Sequence, residues 1–134
     1  MRFWHYKLIP VLPNKMLVSQ WRECIAIKRQ WEKGTLIHPL VSYVKDYDKS
    51  RFYRYTQAIR DEMYNRKINF QNKYMIEIMN FSYYDGNFDL YPEHNDRYLK
   101  QCYYNLQEKF DRGIITKDEW NKIDKKVKGD INDI

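Results

Sequence analysis

Four prolines and four glycines are all that punctuate this 134-residue chain, and their positions limit how far any helix can run. Pro10 and Pro13 keep the opening segment RFWHYKLIPVLP from forming a long helix. Asn14 then offers an N-cap, and Leu17, Trp21, Cys24, Ile25 and Trp31 share one face of a pattern running to Gly34, its natural stop. Lys28 interrupts that face; its aliphatic stem is expected to cover the core while its amine reaches water. Pro39 opens a short candidate helix through Tyr47. Ser50 can cap a helix over 51–67 with Phe52, Tyr55, Ile59 and Met63 inward. Tyr74 to Phe81 reads as a shorter helix, and 82–93 as a loop closed by Pro92. Asn95 caps a strongly amphipathic helix to Arg112, with Tyr98, Leu99, Cys102, Tyr103, Leu106 and Phe110 inward, and Gly113 ends it. Thr116 and Glu119 form a capping box for a last helix, and the polar tail after Gly129 is expected to fray. No stretch alternates with period two and no repeat is visible. The expectation is an all-α single compact domain over residues 1–134, of about five helices, with an extended N-terminal arm packed on the first helix.

Such a length buries a core without disulfide or metal staples. No apolar run approaches the roughly 18 residues of a membrane span, and the N-terminus lacks the apolar stretch of a signal peptide. Cys24 and Cys102 make no disulfide framework, so a reducing cytoplasm is the expected setting. The net charge of +6 is unevenly spread: residues 1–67 hold 14 Lys/Arg against 6 Asp/Glu, whereas 68–134 hold 10 against 12. A polyanion-binding surface looks like this, and so does a solvated face with chance asymmetry.

Glycine-rich phosphate loops, paired Cys-x-x-Cys and His-x-x-x-His are absent, and His5, His38 and His94 are scattered, so no metal site is expected. Cys24 lies on the apolar stripe, which fits a core thiol better than a nucleophile. The pair Arg22-Glu23 stands out. Glu23 falls about 240° round the helical wheel from Leu17, roughly opposite the apolar stripe, while Arg22 projects to the side it shares with Arg29. Two surface charges on an amphipathic helix have this pattern; so does a site, if a second group meets Glu23. The N-terminal segment can supply one. Helix from Asn14 to Glu23 spans roughly 14 Å, whereas twelve extended residues reach on the order of 40 Å, so the chain can turn at Pro10–Pro13 and bring its α-amine to Glu23. An α-amine has an ordinary pKa near about 8, so a useful fraction is neutral and nucleophilic at neutral pH. An amine beside a carboxylate suits attack on a sugar C1′.

Three segments carry a resemblance: the opening MRFWHYKLIPVLPNKMLVSQWREC, the late HNDRYLKQCYYNLQEKF, and the GIITKDEWNKI that follows. They resemble a bacterial family of pyrimidine-dimer DNA glycosylases, related to the phage endonuclease V. Likeness to the bacterial branch covers essentially the whole chain. Likeness to the phage enzyme covers about the first 30 residues, where Leu8, Leu12, Leu17 and Arg22-Glu23 align without a gap. The resemblance implies a helical, cofactor-independent DNA-repair glycosylase with AP-lyase activity on damaged pyrimidines in duplex DNA; a monomer suffices for that chemistry and is the expected state. It implies that the N-terminal α-amine attacks C1′ and forms an imine. Glu23 would be the catalytic carboxylate that stabilises the sugar cation and shuttles the proton for β-elimination. Arg22 would hold a phosphate beside the lesion. Because the bulk of Arg2 should block removal of the initiator, Met1 is expected to carry the nucleophile and Arg2 to follow it as a DNA contact. His5 is a further candidate DNA contact or a packed neighbour of Trp4, and Arg29 a further basic contact. The phage enzyme's DNA-contacting His is replaced by Met16.

Two other readings remain open on the sequence. A non-catalytic nucleic-acid-binding protein with the same fold would bind DNA without cleaving it and tolerate an N-terminal extension. A helical interaction module would use the many tyrosines as a protein surface. Arg51-Phe52-Tyr53-Arg54-Tyr55 interleaves bases and rings, as a stacking surface or as a helix with a packed face.

Overall fold

The computed structural model describes residues 2–81 and 90–131. Among them every regular element is helical: α1 (Asn14–Lys33), α2 (Lys49–Asn65), α3 (Asn72–Phe81), α4 (Asp96–Asp111) and α5 (Lys117–Asp130), with 3-10 helices at Tyr6–Val11 and Ser42–Asp46. The stops follow the chain's punctuation. Gly34 and Gly113 take positive φ, and the next amide in each case bonds back five residues, Thr35 N–H to the Gln30 carbonyl and Ile114 N–H to the Lys109 carbonyl. Lys67 closes α2 the same way at φ 59°, with Ile68 N–H on the Met63 carbonyl, although it carries a side chain where glycine is usual. The Asn95 side chain accepts from Tyr98 N–H, and Thr116 and Glu119 close a complete capping box.

Several boundaries differ from expectation. The segment from Pro39 to Tyr47 is no α-helix but a 3-10 turn at Ser42–Asp46, too short to repay nucleation of an α-helix. Helix α2 begins before Ser50: Asp48 is its N-cap residue, and the Ser50 side chain is buried. Asn14 is the first residue of α1, where an N-cap was expected. The arm is extended only at residues 2–5, because Tyr6–Val11 coils into a 3-10 helix containing Pro10, with His5 as its N-cap. At about 2 Å per residue that helix shortens the reach of the arm. The expected loop at 82–93 lies largely outside the described residues, as does the end of the tail.

The chain divides into two units, Met1–Phe3 with Leu17–Tyr91, and Trp4–Met16 with Pro92–Ile134. In the first, α2 packs with α3 and with the Ser42–Asp46 turn. Leu17, Trp21, Cys24, Phe52, Tyr55, Ile59, Met63 and Ile78 are buried there, as the periodicity requires. In the second, α4 packs on α5, and α5 packs on the Tyr6–Val11 helix, burying Leu8, Ile9, Leu12, Leu99, Leu106, Ile123 and Val127. Ile131 is also buried, so the chain stays packed one residue past α5.

Candidate active site

The site starts from the width of the buried arc on α1. Besides the apolar stripe, Gln20 and Ile27 are buried, so Glu23 is half-buried at one margin of the arc where the wheel set it opposite. Arg22 is exposed beyond the other margin. Against the Glu23 margin lies the start of the chain. Phe3 is fully buried in an aromatic box: its ring stacks on Tyr55 at 3.8 Å between centroids and meets Tyr43 and Tyr91 edge-on. That anchor brings the peptide groups of residue 2 onto α1. Arg2 N–H donates to Glu23 Oε2 at 3.0 Å, and Gln20 Nε2 donates to the Arg2 carbonyl at 2.9 Å. The other end of Gln20 accepts from the Tyr55 hydroxyl at 3.4 Å. Residues 2–3 are thus held on the first helix, as expected of the arm, and Glu23 faces the backbone nitrogen of residue 2. Met1 itself lies outside the described residues.

Arg29, one of the expected basic contacts, is exposed but already bound: Nε and Nη2 both donate to the Glu77 carboxylate of α3 at 3.0 Å. Arg29 holds the Glu77 carboxyl below the ordinary carboxylate range, against a smaller opposing effect of burial. Lys28 joins the same group. Its amine was expected in water but lies 3.0 Å from Glu32 and 3.4 Å from Glu77 on a buried stem. Beside these residues an open cavity of about 370 Å³ is lined by Trp21, Arg22, Arg29, Phe70, Gln71 and Tyr74. It pairs aromatic walls with two guanidinium groups.

His5 requires a correction. It is 1 % exposed, so it is no surface for DNA; it packs against Tyr6, His94 and Tyr98, and its Nδ1 accepts from Lys7 N–H. Burial lowers its pKa to about 4 and that of His94 to about 3, with His5 adding to the second shift. His94 Nδ1 accepts from Tyr6 N–H, which accounts for a residue with no chemistry evident in the sequence. The Arg51–Tyr55 run is no exposed stacking surface either. Phe52, Tyr53 and Tyr55 are buried, and Arg51 lies over the Tyr47 ring and donates to the Leu90 carbonyl. Burial pushes the Cys24 thiol up to about 12, which removes it as a nucleophile near neutral pH. Among the described residues no three His, Cys, Asp or Glu side chains gather as a metal site, and no helix is long and apolar enough to cross a membrane.

The family model for pyrimidine dimer DNA glycosylase matches residues 1–75, the stretch that carries Arg2, Gln20, Arg22, Glu23 and Arg29. The chain belongs to this family. No curated protein and no solved structure gives a significant match. Membership in the pyrimidine dimer DNA glycosylase family makes DNA the substrate and repair glycosylase activity the coarse function. Gln20, Phe3 and Glu77 were missed by reading the sequence. Only Gln20 left a trace there, as a polar side chain three residues before Glu23 and next to the stripe.

Proposed function

We propose that this pyrimidine dimer DNA glycosylase is also an AP lyase, acting on damaged pyrimidines in duplex DNA through its N-terminal α-amine and Glu23. The observation that carries the proposal is the 3.0 Å hydrogen bond from Arg2 N–H to the Glu23 carboxylate. Bond lengths alone keep the nitrogen of a residue within about 3.7 Å of the next one. The α-amine assigned as nucleophile belongs to Met1, one residue before this contact. The neutral amine attacks C1′ as the base leaves with the electrons of the glycosyl bond; loss of an amine proton and opening of the sugar ring, in which the C1′–O4′ electrons go to O4′ and O4′ takes up a proton, then give an imine to the sugar. Glu23 stabilises the cationic sugar as it forms, then takes the C2′ proton so that the 3′ phosphate is eliminated. No metal or organic cofactor enters this sequence, and one chain suffices for it.

Arg2 and Arg22 are assigned to backbone phosphates beside the lesion. A phosphate at Arg29 has to share that guanidinium with Glu77. The cavity by Arg22 has aromatic walls suited to a nucleotide drawn out of the stack, whose unstacking costs a few kcal/mol and least at damaged sites. Borohydride reduction tests the chemistry. Incubation with ultraviolet-irradiated or abasic duplex DNA, then reduction, should leave the chain covalently attached to the DNA. Glu23→Gln should lower product formation by at least about 100-fold, and a peptide fused to the α-amine should abolish trapping. Failure of the untagged wild type to trap either DNA sinks the mechanism, and binding without cleavage would favour a non-catalytic DNA-binding role. Intact mass of the trapped species identifies the N-terminal residue that carries the adduct.

A further inference from the structure

We infer that Gln20 is a positioning residue for the N-terminal nucleophile, one that sets the amine against Glu23 without touching the DNA. The inference rests on the proposed amine chemistry. It begins from the cost of Gln20: a primary amide that is 1 % exposed must have its polar atoms bonded or destabilise the fold. Gln20 spends Nε2 on the Arg2 carbonyl at 2.9 Å and Oε1 on the Tyr55 hydroxyl at 3.4 Å. Glu23, three residues on and on the same side of α1, takes the N–H of the same residue 2. Residue 2 is therefore gripped at its carbonyl by a neutral amide and at its nitrogen by the carboxylate. Tyr55 completes the arrangement, since the ring that stacks on Phe3 carries the hydroxyl that fixes the Gln20 amide. Side chains of α1 and α2 thus determine where the chain start lies.

The grip separates two tasks. A carboxylate that alone had to hold the arm would be spent on holding it. With Gln20 on the Arg2 carbonyl, the residue 2–3 peptide is held independently of the charge on Glu23, which leaves the carboxylate to act on the amine and the sugar. Geometry of this kind governs rate more than affinity, because a displacement of about 1 Å in a reacting group costs on the order of 100-fold.

Single-turnover borohydride trapping on abasic duplex DNA at saturating protein tests this, alongside affinity for the same DNA and exchange of the Arg2 amide hydrogen. Gln20→Met keeps length and removes the donor. It should trap about 10–100-fold more slowly, with DNA affinity within about twofold of wild type and faster Arg2 amide exchange. Gln20→Glu supplies a discriminating pH profile: its protonated carboxyl donates to the Arg2 carbonyl and its ionised form does not. Its rate relative to wild type should climb as pH falls, while that of Gln20→Met stays flat. Tyr55→Phe keeps the ring and drops the hydroxyl, and should show a smaller loss in the same direction, which decides the matter if Gln20→Met does not fold. Folded variants that trap at wild-type rate, or that lose only DNA affinity, overturn the inference. Wild type that fails to trap overturns the amine chemistry instead. In that event Arg2 amide exchange that is as slow in Gln20→Met as in wild type overturns the grip as well.

Discussion

Two histidines a few ångströms apart, both buried and both accepting backbone N–H bonds at Nδ1, are stable only while uncharged. His5 is held at about 4 and His94 at about 3, mainly by burial, against an ordinary value of 6.5. The unfolded chain therefore takes up protons that the folded chain refuses, and stability is complete above pH 6.5 and falls as pH drops toward the folded values. The limiting slope is about 1.4 kcal/mol per pH unit for each group. Thermal unfolding between pH 7 and 4.5 should show a falling Tm. His5→Asn, which keeps an acceptor for Lys7 N–H but no titration, should flatten that fall; an unchanged slope would show that the pair is not its source. In the sequence His5 was ambiguous between a DNA contact and a packed ring. Nothing local to it distinguished the two, because the ring that packs on it, His94, lies far along the chain.

At the level of helices, the signals that were legible were those written into consecutive residues. Gly34 and Gly113 mark stops because only a positive φ lets the chain turn back on the last carbonyls, and Thr116 with Glu119 satisfies two end groups within four residues. What stayed hidden was the width of the buried face of α1. Periodicity counts apolar side chains, so it assigned the Gln20 side of the helix to water and Glu23 with it. The tie between α1 and α3 was equally invisible, since Glu77 meets Lys28 and Arg29 only once the two helices pack. Glu77→Gln removes one of the carboxylates that face the buried Lys28 amine, leaving the more exposed Glu32. We expect a loss of about 1–2 kcal/mol at pH 7, read by urea unfolding. Because the Glu77 pKa is lowered in the fold, its contribution is complete above the ordinary value of 4.5 and disappears as pH falls through the folded one. The gap between wild type and Glu77→Gln should therefore narrow as pH falls below 4.5, and a gap that stays constant from neutral pH until acid unfolding would refute the ion-pair account.

Across the whole molecule, order along the chain and grouping in space disagree. Splitting the sequence at Lys67 gives +8 and −2, but the unit formed by Met1–Phe3 and Leu17–Tyr91 carries +4 and the other carries +2. The apparent basic half is an effect of linear order, and the Arg2–Glu23 contact and the family match point to function where the charge distribution does not. The same interleaving bears on what folds. The matched stretch, residues 1–75, holds residues 4–16, whose own unit is completed by 92–134. Leu8, Ile9 and Leu12 are buried in that unit, where α5 packs on the Tyr6–Val11 helix. Burying a Leu or Ile side chain is worth about 1.5–3 kcal/mol, so exposing three costs on the order of 5–9 kcal/mol. Whole domains are stable by only about 5–15 kcal/mol. A fragment ending at Tyr91 should therefore lose cooperative unfolding, followed by circular dichroism in urea, even though it retains every residue assigned to the chemistry. It should also fail to trap abasic DNA, because residues 4–16 lead directly into the residues that face Glu23. Adding the separate 92–134 segment should restore part of both. A Tyr91 fragment that unfolds as sharply as the intact chain, or that traps DNA unaided, would mean that the first unit holds its N-terminal arm without the second.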